Sequence, residues 1–300
     1  MLTQEITEQE ELLQEIEKPG EYMRRLGLNP FPWQWEALDP ASRRVIMLTC
    51  RQAGKSTVVA GKTLCRAKSS PGALNLITCP AQDQSKELIK KVEQFILHDP
   101  HIPRLTHDGS YEKQFENRSR IVALPGSERS VRGYSAPKTI IIDEAAQVQD
   151  STVYAMRPMM IGADTELFML STPRGKRGYF YRQWDKGKYW KKILVRIAWD
   201  LKNSKLVPAM PEAEFHAKML KQGVLAYYSP RHTLVELQEE LESMDELWFR
   251  QEYLCEFVDE LTMVFATELV SQAMSDQVKP LFVSVLSDEV KPLEVAGNAR

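Results

Sequence analysis

Val45-Ile46-Met47-Leu48-Thr49-Cys50-Arg51-Gln52-Ala53-Gly54-Lys55-Ser56-Thr57 is the stretch on which the reading of the whole chain turns. Val45 to Thr49 is a short apolar run of the kind found in strands buried on both faces, and Lys55 to Lys68 has helical spacing. A helix that begins directly after such a strand presents unpaired N–H groups and the positive end of its dipole, which together form an anion site. Gly54 lets a phosphate approach closely, Lys55 supplies a flexible cation, and the Ser56 hydroxyl suits a magnesium ion held against phosphate oxygens. Arg51, Gln52, Ala53 and Thr57 complete the loop. Thr49 stands where the pattern G-x-x-x-x-G-K-[ST] has its first glycine, so the loop departs from the full motif.

Working outward, Leu74 to Thr78, Thr139 to Ile142 and Glu166 to Leu170 read as further strands, and Ala81 to Leu97 and Ser151 to Ile161 as helices. Strands and helices alternate as a parallel α/β sheet requires. Ile121 to Leu124, after Asn117-Arg118-Ser119, reads as one arm of a hairpin. The strand Thr139 to Ile142 ends in Asp143-Glu144. Neighbouring side chains at a strand end diverge, so the two carboxylates suit different tasks: Asp143 holding magnesium, Glu144 polarising a water.

The composition sets limits. With 43% hydrophobic and 27% charged residues, the 300-residue chain falls in the globular range, which argues against disorder. No apolar run reaches the roughly 18 residues of a membrane span, and the acid-rich stretch Gln4 to Glu17 is unlike a signal peptide, so an intracellular protein is expected. Cys50, Cys65, Cys79 and Cys255 lack C-x-x-C spacing and are read as buried thiols. A net charge of −2 gives no global attraction to nucleic acid, so any such contact must be local. Arg174-Gly175-Lys176-Arg177-Gly178 with Lys186, Lys188, Lys191 and Lys192 is the candidate patch.

At the ends, Gln4 to Arg25 is expected as a helix with one apolar stripe, and the proline-broken Asn29 to Trp35 as an extended loop. After Asp200 the pattern turns helical over Pro211 to Lys221, Pro230 to Ser243 and Asp245 to Phe257. The expected division is a helical arm over 1–30, a core over 31–200, a helical lid or linker over 201–265, and a linker or tail over 266–300.

These pieces together resemble the ATPase half of the bacteriophage large terminases. The resemblance rests on the arginine inside the phosphate loop, the Asp143-Glu144 strand and Leu170-Ser171-Thr172-Pro173. It is supported by Pro32-Trp33-Gln34-Trp35, by Ser130-Val131-Arg132-Gly133 and by Trp248 to Phe257, and it runs from about Pro32 to Phe265. It implies an α/β P-loop NTPase of the ASCE/RecA-like type, a parallel sheet with an extra strand between the two Walker strands and a small helical lid subdomain. ATP and Mg2+ would be the cofactors. Lys55 would grip the β- and γ-phosphates, Ser56 and Asp143 the metal, and Glu144 the attacking water. Thr172 would sense the γ-phosphate, Gln34 would read adenine, and Arg132 would act as an arginine finger on a neighbouring subunit. Arg51 competes for that last role in cis; Arg132 is preferred, with Arg51 structural or sensing.

The resemblance further implies double-stranded DNA, a homo-oligomeric ring of five subunits on the portal protein, and a small terminase subunit as partners, in the host cytoplasm at the procapsid. The family's nuclease is not expected of this chain, since Leu281 to Leu286 is strand-like but Asp288 and Glu289 follow it in a polar tail. The alternatives are a nucleic-acid helicase, which would need a second motor domain, and a non-hydrolysing nucleotide-binding assembly protein, which would have no use for Glu144.

Overall fold

The structure is a computed structural model and describes residues 18–161 and 164–258. Residues 1–17 of the expected arm and the strand-like run 281–286 lie outside the described residues. The described residues build a nine-stranded sheet from β1 (Arg44–Thr49), β2 (Leu74–Cys79), β3 (Leu105–Asp108), β4 (Glu112–Phe115), β5 (Arg120–Pro125), β6 (Thr139–Asp143), β7 (Glu166–Ser171), β8 (Lys191–Arg196) and β11 (Val224–Tyr228), in the order β11-β8-β1-β7-β6-β2-β5-β4-β3. From β11 to β5 all neighbours pair in parallel, and β4 and β3 extend the edge as antiparallel strands. β9 (Trp199–Lys202) and β10 (Lys205–Pro208) form a separate hairpin.

β6 and β7 are buried at every residue and β1 at all but its first, which is why their sequences are continuous apolar runs rather than alternating ones. Met47 of β1 faces Leu170 of β7, and Asp143 of β6 also faces Leu170. β7 therefore lies between the strand that enters the phosphate loop and the strand that ends in Asp143. The fold is that of a P-loop NTPase, and its C-terminal strand ends line up where α/β sheets hold their ligands.

The helices are α1 (Pro19–Arg25), α2 (Pro32–Leu38), α3 (Lys55–Ser69), α4 (Gln82–His98), α5 (Glu128–Val131), α6 (Asp150–Met156), α7 (Gly178–Lys186), α8 (Glu212–Leu220), α9 (Leu234–Ser243) and α10 (Glu246–Glu252). None of the helices among the described residues is long and apolar enough to cross a membrane. All four cysteines are buried, and none is in a disulfide.

Three segments differ from the sequence reading. The stretch read as an extended loop turns helical at Pro32, because proline at the first helical position lacks only an N–H that would be orphaned there. The Gln34 side chain completes the turn by accepting the Phe31 N–H at 2.9 Å. The helix expected over Ser151 to Ile161 is α-helical only to Met156 and tightens into a 3-10 turn at Arg157–Met160, where Pro158 cannot donate. After Asp200 the chain is not helical alone: it forms the β9–β10 hairpin, and Val224–Tyr228 joins the main sheet beside β8.

Two buried charge clusters fix the helices around α3. Glu166, at the start of β7, meets Lys62 at 3.0 Å and the Arg66 guanidinium, all three nearly inaccessible to water. Asp99, at the end of α4, accepts from Arg25 of α1 at 3.1 Å and Lys68 of α3 at 3.2 Å, and its side chain is fully buried. Burial alone would raise the Asp99 carboxyl, but the Arg25, His101 N–H and Lys68 contacts outweigh it and hold it at about 2. A carboxyl depressed in the folded state contributes stability that is present above its unfolded value and lost as pH falls through the folded one. Asp99→Asn should therefore cost about 1–3 kcal/mol at pH 7. In chemical denaturation across pH, the gap from wild type should close between pH about 4 and about 2.

Candidate active site

The phosphate loop begins where β1 stops. Thr49 is the last strand residue, fully buried and outside the left-handed region, so the position that carries glycine in the full motif needs none here. The turn is made later, at Gln52 (φ 56°) and Gly54 (φ 104°), and α3 starts at Lys55. Left-handed residues within such a turn bring successive N–H groups onto one concave side. The loop is held from behind: the Cys50 N–H donates to the Val195 carbonyl at 2.7 Å and the Arg51 N–H to the Glu252 carbonyl at 2.8 Å.

Residues Arg51 through Thr57 line one cavity of about 770 Å³, which Glu144 and Thr172 also line. Lys55 Nζ lies 2.8 Å from Glu144 Oε1, and Ser171 Oγ donates to Glu144 Oε2 at 3.3 Å. Glu144 reaches that position from a left-handed backbone (φ 47°), a conformation that costs a non-glycine residue and recurs at functional sites. Burial works against the Lys55 ammonium, but the Glu144 and Asp143 carboxylates more than offset it and raise its pKa.

Asp143 sits in an adjoining cavity of about 510 Å³ that Ser56 and Glu144 also line. Burial, then the charge of Glu144, pushes the Asp143 carboxyl up to about 6, with Lys55 pulling the other way. Its Oδ1 accepts the Glu144 N–H at 2.9 Å, and its other oxygen has no partner among the described residues. An unpaired oxygen on a buried carboxylate beside a hydroxyl fits a magnesium ion that takes its remaining ligands from phosphate and water.

Two residues singled out from sequence do not line the cavity, although Gln34 Nε2 lies 3.2 Å from where a Cβ on the lining residue Gly54 would be. Gln34 is 3% exposed, its carbonyl spent on the Phe31 N–H. Arg132 follows α5, its side chain 69% exposed and paired with Glu128. Arg51 lines the cavity with its side chain 63% exposed, 4.0 Å from Glu252. In the basic patch, Lys191 is bound into ion pairs with Glu36 and Asp39, while Arg174 reaches Gln147 at 3.0 Å.

The cavity also contains Gln84, Lys91, Gln147, Arg231 and Glu252. Gln84 and Lys91 carried one legible signal, a spacing of seven on a helix, which puts both on the same face. Nothing local marks Arg231 and Glu252, which arrive from a loop and a helix end distant in sequence, while Gln147 lies three residues after Glu144 in the turn that follows β6. Ser171, named only as part of its motif, touches Glu144 through Oε2, the carboxylate oxygen opposite the Lys55-bound one.

The family described as "Terminase large subunit, T4likevirus-type, N-terminal" matches residues 46–272. The chain belongs to the terminase large-subunit family. Terminase large subunits of Thermus phage G20c and Thermus virus P23-45 are each 24% identical over 276 residues, covering 85% of this chain. The chain spans 54% of the length of those relatives. Among solved structures, the large terminase ATPase domain of Thermus phage P74-26 aligns with TM-score 0.57 at 19% identity, covering 79% of this chain and 98% of that one. The large terminase of bacteriophage HK97 aligns with TM-score 0.53 at 14% identity, covering 80% and 55%.

In this terminase chain the loop conformation itself is open to test. A Cβ on Gly54 would adopt a strained backbone and stand 3.2 Å from Gln34 Nε2. Gly54→Ala should destabilise by about 1–3 kcal/mol in thermal or denaturant unfolding. Gly133→Ala, at a similar φ of 103° with nothing within 4 Å, is the control that separates backbone strain from the Gln34 contact.

Proposed function

We propose that this chain is the ATPase motor of a terminase large subunit, hydrolysing ATP with magnesium to drive double-stranded DNA into a viral procapsid. The observation that carries the proposal is the meeting of three strand ends: Lys55 after β1, Glu144 after β6 and Thr172 after β7 line one cavity, and Ser171 at the end of β7 contacts Glu144. The loop N–H groups and Lys55 hold the β- and γ-phosphates. Ser56 and Asp143 would hold magnesium, which would neutralise charge on those phosphates. Glu144 orients a water and takes its proton as the water oxygen bonds to the γ-phosphorus and the bond to the bridging oxygen of ADP breaks. A triphosphate in the loop competes for the Lys55 ammonium and so frees Glu144 for that task, while the Ser171 hydroxyl keeps its orientation. Thr172, at the cavity wall, is the proposed sensor of the γ-phosphate.

Arg132 acts in trans on this reading. Its exposure outside the cavity of its own chain is what supports a role at a neighbour's site, where a fixed planar cation stabilises the transferring phosphoryl group. Arg51 shapes the loop in cis. The working form is a ring, five-membered by family resemblance, docked on a portal protein and served by a small terminase subunit, at the procapsid in the host cytoplasm. The exposed Arg174, Lys176, Lys186 and Lys188 are the proposed DNA phosphate contacts, which read no sequence. Lys191 is withdrawn from that set by its carboxylate partners.

ATP turnover by wild type, Glu144→Ala and Arg132→Ala, alone and mixed, tests the reading. Turnover per wild-type chain should rise with protein concentration. Glu144→Ala should lose at least about 100-fold. Arg132→Ala should lose about 1,000-fold or more. Mixing the two inactive variants should restore activity, because some borders then pair an intact Glu144 with an intact Arg132. Turnover independent of concentration, without rescue, would refute the shared site and favour a monomeric helicase-like enzyme.

A further inference from the structure

The sheet order separates the two ends of any nucleotide bound in the phosphate loop. Glu144 follows β6, on one side of β1, so a γ-phosphate attacked from there points toward that side. The base must then extend to the other side, toward β8 and β11. Gln34 reaches the loop, its Nε2 lying 3.2 Å from where a Cβ on Gly54 would be, but only as a donor. Its carbonyl oxygen is occupied by the Phe31 N–H at 2.9 Å, the residue is 3% exposed, and it does not line the cavity. With one of its two amide groups spent, it cannot pair with both the donor and the acceptor on an adenine edge at once.

Arg231 reaches the same side with its guanidinium uncommitted to a carboxylate of the described residues. It follows β11, two strands from β1, a lateral distance of roughly 10 Å. Its backbone is fixed on both flanks. The Ser229 N–H donates to the Arg196 carbonyl at 2.7 Å, and the His232 ring stands edge-on to Tyr253 at 5.7 Å. The Arg231 guanidinium carbon lies 3.7 Å from where a Cβ on Gly54 would be and 5.8 Å from the centroid of the Phe31 ring. It is exposed, lines the cavity and has no carboxylate partner among the described residues. A guanidinium backed by an aromatic ring on one face offers the other to a second π-system.

We infer that Arg231, backed by Phe31, is the shelf on which the purine base of the bound nucleotide stacks. The inference rests on the nucleotide-binding reading above and moves base recognition from Gln34 to these two residues. Such a shelf holds a base by its face and leaves its hydrogen-bonding edge unread. It also ties nucleotide binding to the segment between β11 and α9.

The test is direct binding of ATP and of inorganic tripolyphosphate, each with magnesium, to the full chain as wild type, Arg231→Ala, Arg231→Lys and Lys55→Ala. Both Arg231 variants should weaken ATP by about 3- to 30-fold, since lysine keeps the charge but not the flat stacking face. Tripolyphosphate, which has no base, should bind both variants as it binds wild type, while Lys55→Ala should weaken both ligands. The shelf is overturned if the Arg231 variants weaken tripolyphosphate as much as ATP, which would make Arg231 a phosphate contact, or if Arg231→Lys binds ATP like wild type. If wild type binds neither ligand, or Lys55→Ala changes nothing, the nucleotide-binding reading fails, and the shelf falls with it.

Discussion

The phosphate loop depends on being held in a shape it would not adopt alone. Gln52 and Gly54 are both left-handed, and a non-glycine residue in that region is costly. Two backbone bonds keep it there, from Cys50 to Val195 of β8 and from Arg51 to Glu252 at the end of α10. The second reaches across about two hundred residues of sequence. The helix that closes the described chain is thus a brace for the loop, and its Glu252 side chain also faces Arg51 at 4.0 Å.

The other end of α3 is anchored just as firmly. Lys62 and Arg66 converge on Glu166 at the start of β7, while Lys55 at the helix start pairs with Glu144, whose carboxylate Ser171 at the end of β7 also contacts. Buried pairs of this kind contribute modestly to net stability, because desolvation offsets much of the attraction. Their consequence here is geometric. α3 and β7 are fastened near both ends, so the distance between the phosphate loop and Glu144 is set by rigid elements rather than by a loop.

The parts of this arrangement that were legible in sequence are those where the chemistry is local. An apolar run, a glycine and a lysine specify the strand, turn and helix start at Val45 to Thr57, and Thr139 to Glu144 likewise announces its own strand and carboxylates. α2 was misread because proline was weighed as a helix breaker when it occupies the first turn, where it is favoured. Val224 to Tyr228 is itself an unbroken apolar run, but it is a short, partly buried edge strand between two segments of helical spacing, Pro211 to Lys221 and Pro230 to Ser243, and periodicity does not separate it from them. Arg231 and Glu252 could not be found by any local rule. Their place in the cavity follows from the strand order β11-β8-β1 and from the packing of α10, which are properties of the whole fold.

The link from the cavity to the basic patch is equally short. Ser171 contacts Glu144, Thr172 lines the cavity, and two residues later Arg174 holds Gln147, which lines the same cavity. Pro173 stands between Thr172 and Arg174 and restricts the backbone there. On the proposed reading, a change in the charge borne by the cavity acts on Glu144 and Gln147 together. Gln147 and Pro173 then pass it to Arg174 with little slack, so a motor built this way needs no long relay between hydrolysis and its grip on DNA. Gln147 is the element on which that economy turns: with Arg174 held by a neutral amide rather than by a carboxylate, its full charge remains available to a DNA phosphate.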